Sequence, residues 1–267
     1  METAPTVPRM AELKAPPSWR TVDFISDLHL NADEPATFTA WQAYLQHTPA
    51  DAVFILGDLF EVWVGDDAVS GDFRIHPETS FEDRCAGVLS EAGSRLALFF
   101  MHGNRDFLVG HALMDLCHAT LLDDPTVLTF SGQRWLLSHG DALCLDDTDY
   151  MQFRQQVRTA GWQQAFLARP LTERQAIARE MRQQSEARKR ASLDYADVDT
   201  AAARHLLEAA QARTLIHGHT HKPAEHHLGD GFSRVVLSDW DAQANVPRAD
   251  VLRLSASGLQ RIALLQP

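Results

Sequence analysis

The chain contains no apolar run approaching the roughly 20 residues that a bilayer-spanning helix requires, so an integral membrane protein is not expected. Cysteine is scarce: Cys85, Cys117 and Cys144 form an odd set, which makes no disulfide framework, and their spacing matches no zinc site. They are expected as small buried residues in a reducing, cytoplasmic setting. A basic footprint is also missing, since the net charge of −12 argues against a general nucleic-acid binder. Internal repeats and low-complexity tracts do not occur. The stretch from Met1 to Ser18 carries Pro5, Pro8, Pro16 and Pro17 but lacks the apolar segment of a signal peptide. Residues 1–18 are therefore expected to be a flexible tail, and 19–267 a single domain. A chain of 267 residues that is 45% hydrophobic and 22% charged is an ordinary globular composition, long enough for a well-buried core.

What is present is a series of short apolar, β-rich runs: Thr21–Ser26, Ala52–Leu56, Leu96–Met101, Arg134–Ser138 and Thr214–Ile216. Each is bounded by Asp, Gly, Asn or His, the residues of turns and sites. Helical spacing lies between the first three, as in Phe38, Trp41, Tyr44 and Leu45. The alternation predicts an α/β sandwich with helices covering the sheets. Closely spaced runs at Arg234–Leu237, Val251–Leu254 and Arg261–Leu265 are expected to finish a second sheet.

One segment, about 149–207, shows only helical pattern, interrupted at Arg169-Pro170. Basic residues from Arg154 to Arg190 outnumber Glu173, Glu180 and Glu186, and apolar residues from Met151 to Met181 are interleaved with them. A cationic amphipathic insertion in an acidic protein is a signal about partners, against the plainer alternative of a solvated helical face.

Five polar blocks sit directly after the predicted strands: Asp27-Leu-His29, Gly57-Asp58, Gly103-Asn104, His139-Gly140 and His217-Gly-His219. Open α/β sheets bind ligands at the carboxyl ends of their strands, so the blocks should converge on one crevice. Alternate residues of an extended segment point the same way, which lets each Asp-x-His or His-x-His pair reach one centre. Carboxylate, carboxamide and imidazole donors suit Mn²⁺, Fe²⁺, Mg²⁺ or Zn²⁺ in an open catalytic site. Asp27, His29, Asp58, Asn104, His139, His217 and His219 are too many for one tetrahedral centre but fit two metals that share a carboxylate. Two such ions clamp a phosphoryl group and acidify a bound water, which makes the expected chemistry phosphoester hydrolysis.

The ordered set Asp-x-His, Gly-Asp, Gly-Asn, His-Gly and Gly-His-x-His resembles the calcineurin-type metallophosphoesterases over roughly residues 22–240. The resemblance implies a four-layer αββα sandwich. It also implies one metal on Asp27, His29 and His219, a second on Asn104, His139 and His217, and Asp58 bridging them. Many members follow Gly-Asn with a histidine that assists the leaving group, whereas this chain reads Gly103-Asn104-Arg105-Asp106. Arginine cannot act as a general acid, but its fork holds phosphate oxygens bidentately, which favours a leaving group that needs little protonation.

The fuller blocks, Phe24–Leu30, Ile55–Asp67, His102–Leu108, Ser138–Asp141 and Ile216–Pro223, closely resemble the UDP-2,3-diacylglucosamine hydrolase family. That implies water attack on the α-phosphorus of UDP-2,3-diacylglucosamine in lipid A biosynthesis, giving UMP and 2,3-diacylglucosamine 1-phosphate, typically with Mn²⁺. It further implies that the 149–207 insertion is a helical cap. Its apolar residues would shelter the acyl chains, and its cationic face would hold the enzyme against the anionic cytoplasmic face of the inner membrane. By motif position, Asp58, Asn104, Arg105 and His217 carry catalysis. Asp147, Ser185, Lys189, Asn104, Arg105 and His217 contact substrate. Asp66, Asp67 and His221 either orient ligands or shape turns. Rival readings are another metallophosphoesterase, a metal-free scaffold of the same fold, and a membrane-surface module.

Overall fold

The computed structural model describes residues 10–73, 79–191 and 197–265, with no account of the side chains of 182–191. Its elements in chain order begin with β1 (Ala11–Lys14), β2 (Thr21–Ile25), α1 (Pro35–His47), β3 (Ala52–Leu56), α2 (Phe81–Gly93) and β4 (Ala97–Met101). Next come α3 (His111–Leu116), β5 (Ala119–Leu122), β6 (Thr126–Phe130), β7 (Gln133–Leu137), α4 (Thr148–Val157), α5 (Ala160–Leu167) and α6 (Leu171–Ala191). The chain finishes with α7 (Thr200–Ala210), β8 (Thr214–His217), β9 (Glu225–Gly229), β10 (Phe232–Val236), β11 (Asp250–Ser255) and β12 (Gly258–Ala263).

Two six-stranded sheets face each other, with orders β12-β11-β2-β3-β4-β5 and β1-β6-β7-β8-β10-β9. Period-two alternation explains how both faces of a strand such as β3 are buried. Ala52, Phe54 and Leu56 enter the core between the sheets, while Val53 and Ile55 enter a second core beneath the helices. In the inter-sheet core Phe54 stacks on Phe99 at 4.6 Å, among Val22, Leu128, Leu137 and Ile216. On the outer face of the first sheet, Trp41, Leu45, Cys85, Leu89 and Leu113 of α1–α3 pack against it. On the outer face of the second, Ala203, Leu207 and Ala210 of α7 meet Val127, Leu136 and Leu215. The four-layer αββα sandwich expected from the motifs is the observed architecture. All three cysteines are buried and free.

Several expectations are corrected. Ala11–Lys14 is not a tail but an edge strand, paired in parallel with β6 and tied down where Leu13, Ala15 and Trp19 pack into the inter-sheet core. Residues 1–9 lie outside the described ones. The three C-terminal strands do not finish one sheet, because β10 extends the second sheet beside β8 whereas β11 joins β2 in the first. Helix α7 belongs to the sandwich rather than the cap, since its apolar face closes the third core cluster. Asp199 caps it, accepting from the Ala202 N–H.

The cap is thus α4–α6, and Pro170, which lacks an N–H donor, separates α5 from α6. It is fastened to the sandwich rather than laid over it. Phe166 and Ala178 are part of the core cluster beneath the helices, with Trp162, Leu171 and Ile177 partly buried against it. Arg174 of α6 is 1% exposed, and its guanidinium donates to the Val64 carbonyl and to Asp67.

Truncating Phe54 to Ala removes the centre of the inter-sheet core and should cost about 3–5 kcal/mol of stability, measurable by urea denaturation.

Candidate active site

The strands β2, β3, β4 and β7, β8 all run in parallel pairs, so their carboxyl ends gather at one edge of the sandwich. A common register delivers the polar side chains there. Asp27, Asp58, His139 and His219 each lie two residues beyond the last strand residue, namely Ile25, Leu56, Leu137 and His217. His29 and His221 lie four beyond. At Asp27, His29, Asp58, His219 and His221 the backbone is left-handed, with φ between 49° and 66°. Residues other than glycine adopt that conformation infrequently, and of the nine that do so among the described residues five lie on these donor loops.

Asp27, His29 and His221 bring donor atoms together at one position, and Asp27, Asp58 and His139 do so at a second. His29 Nε2 faces His221 Nε2 across 3.2 Å, and His221 Nε2 is 3.4 Å from Asp27 Oδ1. Asp58 Oδ2 lies between the two positions, 4.0 Å from His29 Nε2 and 3.8 Å from His139 Nε2. On the far side, the Asn104 Oδ1 atom is 3.1 Å from His139 Nε2 and 2.8 Å from His219 Nδ1. Ring nitrogens directed at one another and at shared oxygens make a donor set that a cation satisfies and that neutral side chains alone do not. Such spacings of about 3–4 Å also suit ligands held near 2.0–2.2 Å from a divalent ion. The residues therefore fit a divalent metal centre.

One residue of the expected set stands apart. His217 ends β8 and remains in the sheet, with its side chain buried behind the crevice, Nε2 3.3 Å from Arg234 and Nδ1 2.9 Å from the Gly218 carbonyl. It reaches neither donor group. His221, read from sequence only as an orienter or turn residue, takes the place beside Asp27 and His29, and His219 moves over to Asn104 and His139. The i, i+2 rule admitted either pair of histidines. What decides is where the strand ends, and the two-residue register shared with the other blocks was the available signal.

Electrostatics follow from burial. Asp27, Asp58, Asp106 and Asp141 are all 1% exposed or less. Burial opposes charge on Asp27, yet His221, His139 and His29 together hold its carboxyl below the usual range. Burial likewise opposes charge on His139, but Asp58, Asp27 and Asp141 outweigh it and lift the imidazole to about 9. His219 is pushed down to about 4 by burial and by His139, and His217 to about 4 by burial and Arg234. Asp106 is raised to about 7 by burial and by Asp58. The Asp106 carboxylate accepts from the backbone N–H groups of Gly103, Asp58, Leu59 and Phe60, which locks the Asp58 and Asn104 loops together.

Arg105 does not pair with Asp106. Its backbone N–H donates to Asp58 Oδ1 at 2.7 Å, and its guanidinium lies 3.6 Å from Glu61 beside the donor groups. Glu61 also sits 3.3 Å from His29 Nδ1, so one carboxylate orients a histidine and restrains the arginine. Sequence reading missed Glu61, Asp106 and Asp141. Asp141 anchors the cap, receiving hydrogen bonds from Tyr150 and, at 2.8 Å, from Arg154, while Arg158 donates to the Gly103 carbonyl at 2.8 Å. Asp147 is exposed and caps α4, accepting from Tyr150 N at 3.0 Å. Asp66 receives the N–H groups of Gly110 and Leu113 and the Trp63 indole, and Asp67 holds Arg174, so both build loops rather than orient ligands. Ser185 and Lys189 fall on α6, outside the residues whose side chains are described.

A crevice of buried carboxylates, imidazoles and one carboxamide at the strand ends of an αββα sandwich defines a metal-dependent phosphoester hydrolase. Residues 20–223 match the family model described as calcineurin-like phosphoesterase. The chain is 46% identical to the UDP-2,3-diacylglucosamine hydrolase of Chromobacterium violaceum over 252 residues, covering 91% of this chain and 98% of that one. It is 44% identical to the protein of the same name from Ralstonia nicotianae, covering 87% and 88%, and 39% identical to that from an Enterobacter species, covering 90% and 97%. The chain belongs to the UDP-2,3-diacylglucosamine hydrolase family of calcineurin-like phosphoesterases.

Replacing Glu61 with Ala should weaken divalent-metal binding about 10–100-fold, the usual cost of losing a ligand's orienting partner. Glu61→Gln, which keeps an acceptor oxygen beside His29 Nδ1, should stay close to the unaltered protein; titration calorimetry with Mn²⁺ on chelator-treated protein reads both.

Proposed function

We propose that the protein hydrolyses the diphosphate of UDP-2,3-diacylglucosamine. Water adds to the α-phosphorus, the bond from that phosphorus to the bridging oxygen breaks, and UMP and 2,3-diacylglucosamine 1-phosphate leave. The observation that carries this reading is the meeting of two donor sets, Asp27-His29-His221 and Asp27-Asp58-His139, in one crevice with Arg105 beside them, in a chain so similar to proteins of that name. Asp27, His29 and His221 would hold one metal, Asn104, His139 and His219 the other, and Asp58 both; Mn²⁺ suits this mixture of oxygen and imidazole donors. When bound, the pair supplies charge to offset the phosphoryl oxygens and an acidified water.

The chain's own residues do the rest. Arg105 grips non-bridging phosphate oxygens through its fork and cannot give up its proton, which suits a phosphate leaving group that departs as an anion. Asn104 and His219 position the phosphoryl group from the other side. Asp147, exposed at the start of the cap, contacts the sugar. By the family resemblance, Ser185 and Lys189 would also contact the substrate.

The apolar and cationic character of the cap supports a lipid substrate and a peripheral seat on the cytoplasmic face of the inner membrane. Among the described residues no helix is long and apolar enough to cross a bilayer. Val62 and Leu167, large apolar side chains more than 40% exposed, lie on the loop leaving Asp58 and on α5, and Leu145 is likewise exposed just before α4. Arg179, exposed on α6, would add an attraction of about 1 kcal/mol near an anionic surface.

Purified protein with Mn²⁺ should release UMP from UDP-2,3-diacylglucosamine, and Asp58→Ala should abolish this. Equal turnover of UDP-glucose or bis(p-nitrophenyl) phosphate would overturn the lipid assignment. Arg105→Ala should lower turnover about 100-fold or more with bound metal unchanged, as expected for a lost transition-state contact; elemental analysis alongside kinetics checks it. The protein should float with phosphatidylglycerol vesicles at low salt and detach as salt screens the cap's charge.

A further inference from the structure

His217, Arg234 and Asp197 form a polar chain behind the donor loops that the reaction does not touch. Asp197, where the chain returns from the cap towards α7, receives both ends of the Arg234 guanidinium, at 3.1 and 2.8 Å. Arg234, on β10, is 5% exposed. Its Nη1 lies 3.3 Å from His217 Nε2. A guanidinium offers only N–H groups, so that ring nitrogen accepts, and the single proton of His217 resides on Nδ1. From there it donates to the Gly218 carbonyl oxygen, 2.9 Å away.

That carbonyl shares a rigid, planar peptide with the His219 N–H, which points the opposite way. The N–H donates to both oxygens of Asp27, at 3.0 and 2.9 Å. Nothing else leaves this peptide slack: a Cβ on Gly218 would fall 2.3 Å from Asp27 Oδ2 and 2.4 Å from Ser26 Oγ. Gly218 N also donates to the His139 carbonyl at 3.0 Å, so the same turn is shared with the second donor loop.

We propose that Arg234 and His217 are positioning residues for the metal centre, anchored on Asp197, which hold the Gly218–His219 peptide plane and through it set the Asp27 carboxylate. The proposal rests on reading the donor groups as a divalent-metal centre. Orienting contacts of this kind are typically worth 10–100-fold in metal affinity. A residue that only fills the core would instead lower the melting temperature of the metal-free protein and leave affinity for Mn²⁺ intact.

The test is Mn²⁺ binding by titration calorimetry on chelator-treated protein, together with metal-free melting temperatures, for His217→Leu, His217→Asn and Arg234→Met. Leucine and methionine should weaken binding about 10–100-fold. Asparagine, whose amide N–H can reach the Gly218 carbonyl, should recover most of the loss. Folded His217→Leu and Arg234→Met proteins that bind Mn²⁺ like the unaltered chain would overturn the proposal, as would an asparagine variant no better than leucine. If the leucine variant does not fold, Arg234→Met decides by the same readout, since Asp197 lies partly in solvent and tolerates loss of its partner. Unaltered protein that bound no Mn²⁺ would remove the metal reading itself, a result distinct from binding that all variants share.

Discussion

The structure is organised around the cost of burying carboxylates next to one another. Asp27, Asp58, Asp106 and Asp141 lie together at the strand ends with almost no solvent. In such surroundings a lone anion is expensive, and each is offset in its own way. Asp106 is surrounded by backbone N–H groups, and Asp141 by Tyr150 and Arg154 from the cap. Asp27 and Asp58 accept backbone N–H groups from His219 and Arg105 but otherwise face imidazoles, and it is there that positive charge is still wanted. A proton on His139 meets that demand in part, and divalent cations meet it fully.

Much of this was legible in the sequence because it rests on local rules. Apolar runs such as Ala52–Leu56 and the polar residues directly after them mark strand ends whatever else the chain does. The donor register was less legible. His217, His219 and His221 alternate, and pattern alone cannot say which pair leaves the sheet; that depends on β8 continuing through His217 to pair with β10. The edge strand Ala11–Lys14 was hidden for a similar reason, since a four-residue strand among prolines carries little periodicity of its own and is stabilised by its pairing with β6. Glu61, Asp106 and Asp141 are ordinary acidic residues in sequence, and only three-dimensional proximity reveals their work.

The cap shows the opposite difficulty. Its helices were readable, but the pattern left open whether its apolar residues meet acyl chains or the core. Phe166 and Ala178 extend the core, and Trp162, Leu171 and Ile177 lean on it. Amphipathic pattern tells which face is apolar, not what that face meets. The same holds for α7, whose strong pattern belongs to the sandwich.

The buried guanidinium of Arg174 has an implication for how this scaffold changes over generations. An insertion between two strands is, in principle, a module that can be exchanged for another. This one is keyed to its host: Arg174 reaches from α6 into the loop that follows Asp58, occupying the space beside Gly65 where a Cβ would fall 2.3 Å from its Nη1. A transplanted cap lacking that arginine would leave the Val64 carbonyl without its donor and a void beside it. Cap and loop are therefore expected to be inherited as a pair, and a chimera that swaps one without the other should fail at the seam rather than at the metals.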